Sequence, residues 1–152
     1  MKIWVYIVLS LAPVTAHATR QDALAAIKKA SVVVGIPERT LRAVCMVESS
    51  LNTSLKPHVD GSTLSYGICQ VKLSTASHID KVYKHKYLAS PARLSVTYIN
   101  ALYAAKYLKL QWKRYGYDWN AAIDGFNKGR LVNRNSQYVR KVMLAMENST
   151  SE

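Results

Sequence analysis

Apolar residues recur every three or four positions along most of the chain, and that period predicts helices. Leu24, Ile27 and Ala30 or Ser31 form a first stripe. Thr19 stands where a helix cap belongs, Asp22 occupies the capping-box position, and Gly35 supplies a stop. Pro37 suits the first turn of a second helix, whose stripe runs through Leu41, Val44 and Cys45. From Leu51 to Tyr66 the period fails. Asn52, Pro57, Asp60, Gly61 and several Ser and Thr residues mark a long irregular loop with room for a short β-ribbon. A short helix is expected from Leu73 to about Tyr83. Ser90 and Pro91 cap and open a longer one ending at Gly116, with Leu94, Tyr98, Ala101, Leu102, Ala105, Leu108 and Trp112 on its apolar face. On that helix Tyr98, Tyr103 and Tyr107 read as core aromatics. Asp118 caps a further helix from about Trp119 to Phe126, and the last runs from about Ser136 to Ala145. The polar tail, 147–152, should fray. No repeat or linker interrupts the pattern, so one mainly α domain over 19–146 is expected.

One position breaks the pattern. Glu48 follows Leu41, Val44 and Cys45 on the same helical stripe, the face that a helix buries. Burying a carboxylate costs several kcal/mol unless it is paired or keeps its proton. A carboxyl that keeps its proton is a general acid. Of the four glutamates, Glu38 sits in an exposed first helical turn, and Glu147 and Glu152 lie in the polar tail. Glu48 alone reads as a desolvated one. An ordinary core role, with Arg or Lys neutralising the charge, is the competing explanation.

Composition narrows the setting. The 152 residues suit one domain, 49% of them are apolar, and the formal charge is +12. That excess favours an anionic partner: nucleic acid, a membrane surface or a wall polymer. Residues 1–18 have the pattern of an export signal: Lys2, an apolar run from Ile3 to Ala12, then Ala16-His17-Ala18. Cleavage after Ala18 would leave a chain of charge +11 with no other stretch able to cross a membrane. The expected location is therefore periplasmic or extracellular. Cys45 and Cys69 could pair in such a compartment. Each sits inside an apolar pattern, which favours two small buried thiols instead. His58, His78 and His85 lack metal-ligand spacing, so no metal is expected. No activated nucleophile, phosphate loop or nucleic-acid motif is present, and neither cofactor nor nucleic acid is expected.

Four segments in order carry a resemblance: Glu48-Ser49, Gly67-Ile68-Cys69-Gln70-Val71, Gly125-Phe126-Asn127-Lys128-Gly129 and Tyr138-Val139-Arg140-Lys141-Val142. Together they resemble the soluble lytic transglycosylase family, over about residues 21–146. The resemblance implies a lysozyme-like fold and cleavage of the glycan of peptidoglycan. Glu48 matches the family's catalytic acid and base, and Ser49 its usual neighbour. Gly67 and Gln70 match the motif that lines the glycan cleft, and Ser65 joins them as a substrate-binding candidate. Asn127 matches the asparagine of the third motif. Tyr138 matches the tyrosine whose hydroxyl lies close to the catalytic glutamate. The chain departs from the family pattern at Phe126 and Lys128, where tyrosine and alanine are common, and at Cys69, where methionine is frequent.

A single acid accords with that chemistry. Most glycosidases need two carboxylates, and Asp60, the only acid in the loop, reads better as a turn residue. The resemblance implies that the muramic N-acetyl group assists Glu48 and that a 1,6-anhydro ring closes at the cut MurNAc-GlcNAc β-1,4 bond. Its implied partners are glycan strands and, for small members, a secretion, conjugation or pilus apparatus spanning the envelope. Two other readings fit the same residues: a hydrolase resembling goose-type lysozyme with Asp60 positioning water, and a non-catalytic glycan-binding module. A cationic protein acting on membranes by charge is a weaker third.

Overall fold

The computed structural model describes residues 19–60, 62–85 and 89–149, with Asp60 described by its backbone. The expected export segment and the end of the expected tail lie outside the described residues, as does the Asp60 side chain. The fold is mainly α, with a small antiparallel ribbon directly after the second helix, as expected.

Helix α1 (Arg20–Val34) starts on the anticipated capping box. The Thr19 side chain accepts from the Asp22 N–H while the Asp22 carboxylate accepts from the Thr19 N–H, and Gly35 closes the helix in the left-handed conformation. Its buried face runs through Ala23, Ala26, Ile27, Ala30, Ser31 and Val34, whereas Leu24 lies at the core edge. Small residues on this face let α1 lie along α5 (Thr97–Arg114). Helix α2 (Glu38–Ser49) buries Leu41, Val44 and Cys45 as the stripe requires. Pro37 is its N-cap residue, one position before the expected first turn.

The aperiodic stretch contains β1 (His58–Asp60), β2 (Thr63–Tyr66) and β3 (Val71–Lys72), in the order β1-β2-β3. His58 opposes Ser65 and Val59 opposes Leu64. Alternation sends the two pairs to opposite faces. Val59 and Leu64 are exposed, at 64% and 43%, while His58 and Ser65 face the cleft described below.

Helix α3 (Leu73–Val82) follows, then α4 (Pro91–Leu94), capped by Ser90. The single long helix expected from Ser90 to Gly116 is in fact two, broken at Ser95-Val96. The break lets the Leu94 carbonyl accept from the Asn100 side chain. Helix α6 (Trp119–Lys128) carries the expected cap from Asp118, and Ser136, expected as the start of the last helix, caps α7 (Gln137–Asn148). The last helix continues beyond Ala145, and Met146 packs against the core.

Cys45 and Cys69 form a disulfide, which corrects the expectation of free thiols. The apolar surroundings were read properly: both cysteines are fully buried. The missing information was spatial, since the turn after β2 folds back onto α2. A link across a separation of 24 residues removes unfolded-state entropy corresponding to about 3 kcal/mol.

Candidate active site

Glu48 lies in the last turn of α2, where the buried stripe runs out of the core and into a cleft. It is half-buried, not fully desolvated as the stripe suggested, because α2 ends there. The cleft has a volume of about 310 Å3 and lies between the ribbon and the end of α6. The Tyr138 hydroxyl, from α7, donates to Glu48 Oε1 at 2.5 Å. Burial pushes the Tyr138 phenol far above its ordinary range, and the adjacent Glu48 charge and hydrogen bond push it further. The phenol therefore stays protonated and remains a donor.

Three connections hold the opposite wall. The Cys45–Cys69 disulfide ties α2 to the 67–70 turn. The Ser49 hydroxyl donates to the Ile68 carbonyl at 2.6 Å and to the Cys45 carbonyl at 3.3 Å. Asn100, fully buried on α5, is the third. Its amide donates to the Tyr66 and Leu94 carbonyls at 2.7 and 2.9 Å, and its Oδ1 accepts from the Cys69 N–H at 2.9 Å. A buried amide with three partners is close to saturated. Gly67 packs directly on it. A Cβ there would come within 2.5 Å of the Asn100 amide and 2.8 Å of the Leu94 carbonyl, and its φ of +67° is left-handed.

Of the expected substrate-binding residues, Ser65, Gln70 and Asn127 line the cleft together with Glu48. Ser49 and Gly67 hold the wall from behind. Gln70 does two things: it lines the cleft, and its side-chain amide donates to the Gly67 carbonyl at 2.9 Å. Tyr138 reaches the cleft through Glu48.

Sequence reasoning missed several lining residues. Tyr107 packs against the core as expected, and with Phe126 it also lines the cleft as a tilted pair with centroids 5.6 Å apart. His58 was weighed only as a metal ligand. Lys72 and Thr75 follow the second motif without belonging to it. Lys128 extends from the end of α6, held by Asp124 at 2.8 Å. Asp124 is fully buried and accepts also from the Val132 and Asn133 N–H groups at 2.6 and 2.8 Å. Burial opposes its ionisation, but the Lys128, Asn133 and Val132 donors outweigh it and hold the carboxyl well below the usual carboxylate range. Gly125 lets α6 close onto α5, since a Cβ there would lie 2.7 Å from the Tyr115 ring. The first residue of the third motif thus serves packing, and the four after it line the cleft.

The arrangement offers one carboxyl for proton transfer, a protonated phenol that fixes it, neutral polar groups suited to sugar hydroxyls, and an aromatic floor. The family model described as the Transglycosylase SLT domain matches residues 25–143. Two solved structures share the fold. A complex of the 70-kDa soluble lytic transglycosylase with bulgecin A has a TM-score of 0.58 at 21% identity, over 81% of this chain and 18% of that one. The 70-kDa soluble lytic transglycosylase from Escherichia coli has a TM-score of 0.58 at 20% identity, over 83% and 18%. The chain therefore spans less than a fifth of the length of those proteins. No curated protein sequence matches it.

Proposed function

The chain belongs to the transglycosylase SLT domain family, and from that premise we propose that it is a peptidoglycan lytic transglycosylase with Glu48 as its acid and base. The observation that carries the reading is the Tyr138–Glu48 hydrogen bond at the edge of the cleft.

The reaction balances without water. Glu48 gives its proton to the glycosidic oxygen as the bond from the muramic C1 breaks, and the N-acetylglucosamine end leaves as an alcohol. The carbonyl oxygen of the muramic N-acetyl group closes on C1. Glu48, now a carboxylate, takes the proton from the muramic C6 hydroxyl. O6 then attacks C1, releases the acetamido oxygen and forms the 1,6-anhydro ring. Glu48 ends protonated, as it began. Tyr138 donates to Oε1 throughout, so the proton moves on and off the other oxygen, and the phenol stabilises the carboxylate of the second half. Ser65, Gln70 and Asn127 bind the glycan, while Ser49 and Gly67 preserve the wall that presents Gln70.

The placement follows from the reading. An export signal at 1–18 delivers the domain, 19–146, to the periplasm or outside the cell, where its substrate lies. No helix among the described residues is long and apolar enough to cross a membrane. A role in opening the wall for a secretion, conjugation or pilus apparatus belongs to the same proposal. Mass spectra of digested peptidoglycan test the reaction: anhydromuramic ends are expected, and reducing ends would overturn it.

A further inference from the structure

The charge of the cleft is lopsided. Among its described lining residues Glu48 is the one acid, while Lys72, Lys128 and His58 are cationic or become so on protonation. Uncharged sugar rings need none of these. Their hydroxyls are served by Ser65, Thr75, Gln70 and Asn127, and their apolar faces by Tyr107 and Phe126.

Lys128 is not a loose surface cation. It extends from the last turn of α6, its ammonium bonded at 2.8 Å to Asp124 one turn earlier, with the side chain 33% exposed. Asp124 is fully buried and already shared with the Val132 and Asn133 N–H groups. An ammonium has three N–H donors. Asp124 takes one and fixes the direction of the others. Holding a lysine in place removes the rotamer entropy that normally makes an exposed ion pair nearly worthless. Lys72 leaves β3 across the cleft as the N-cap residue of α3. Two cations from different elements therefore face one channel, with Glu48 in the same lining.

We propose that Lys72 and Lys128 are specificity-determining residues that select glycan bearing carboxylates on its muramyl residues over uncharged glycan. The assignment rests on the reading of this cleft as a glycan site. Two sources supply the carboxylate: the peptide attached to the lactyl ether, or the bare lactyl group once the peptide is removed.

The test uses the full chain carrying Glu48→Gln, so that ligands survive, and three tetrasaccharides of equal length: peptide-bearing, peptide-stripped with free lactyl carboxylates, and a carboxylate-free N-acetylglucosamine tetramer. Calorimetric titration should show at least one carboxylate-bearing ligand about tenfold tighter than the neutral one, as ion pairs from two cleft lysines would give. The ratio between the first two identifies the carboxylate source. Adding Lys72→Gln and Lys128→Gln should reduce the preference to within about twofold, and Lys72→Arg with Lys128→Arg should restore most of it. Rising salt should weaken the carboxylate-bearing ligands and leave the neutral one nearly unchanged. A neutral tetramer that binds as tightly as the others overturns the assignment and leaves the glycan cleft standing. So does a preference that survives both glutamines with unchanged circular dichroism. Failure of all three ligands to bind overturns the cleft reading itself, and the assignment with it.

Discussion

Among the described residues, two tyrosine–carboxylate pairs differ in what lies beyond them. In one, the Tyr103 hydroxyl donates to Asp80 Oδ1 at 2.7 Å, and the Ala89 N–H occupies Oδ2 at 2.8 Å. Both side chains are buried. In the other, the Tyr138 hydroxyl donates to Glu48 Oε1, and the carboxyl is half-buried against a cleft of about 310 Å3. Burial first, then the neighbouring carboxylate, pushes both phenols up, so both remain donors. The chemistry of the contact is the same. The first pair ties α5 to α3 and to the segment before α4, its carboxylate occupied on both oxygens. The second presents its carboxyl to a space large enough for a substrate. What separates the two pairs is access, not the hydrogen bond.

The sharpest way to break this comparison is to neutralise each acid in turn. Glu48→Gln should lower the rate of glycan cleavage by about 10³-fold, within the range of general acid–base catalysis. Asp80→Asn should leave cleavage close to its original rate and cost about 1–3 kcal/mol of stability. Turbidity loss of isolated walls reads the first, and thermal unfolding reads the second. Equal losses of activity would erase the distinction.

Removing the phenol oxygens sharpens it. Tyr138→Phe should reduce kcat by about tenfold, since the carboxyl survives but loses the donor that orients it. Tyr103→Phe should spare kcat and lower stability by about 1.5–3 kcal/mol, the usual worth of a bond to a charged group. The contrast to measure is the split between kcat and the unfolding midpoint.

The smallest effect concerns the cleft wall. The donors around Asp124 hold its carboxyl well below the usual carboxylate range. Such a group stabilises the fold fully above its unfolded value, and that contribution fades as pH falls below it. Asp124→Asn should therefore lower the unfolding midpoint at neutral pH, and the gap to the unaltered chain should narrow at about pH 3. A gap that widens on acidification would mean that Asp124 does not hold the 130–133 segment as an anion.

What could be read from sequence was local. Thr19, Ser90 and Asp118 all cap as their positions predict, because a cap acts within three residues. The ribbon was anticipated only as a short one inside the aperiodic loop, since its strands are too short to show alternation. What escaped was nonlocal. Asn100 looks like an ordinary polar residue within a helical stripe, yet it bonds backbone groups 31 and 34 residues away. The disulfide required knowing that the 67–70 turn meets α2. The break at Ser95-Val96 carries no proline or glycine to announce it. Glu48 was singled out for being buried and proves half-buried, because periodicity shows which way a residue points but not where the core ends. In the third motif, Lys128 departed from the family pattern and turned out to line the cleft.

The central claim is that the carboxyl of Glu48 and the substrate's own hydroxyl complete the cut without solvent. Digestion of walls in water enriched in oxygen-18 tests it most directly, with the new muramic ends read by mass. Those ends should carry no heavy oxygen and be lighter than reducing ends by one water. Heavy oxygen at C1 of the new ends would contradict it.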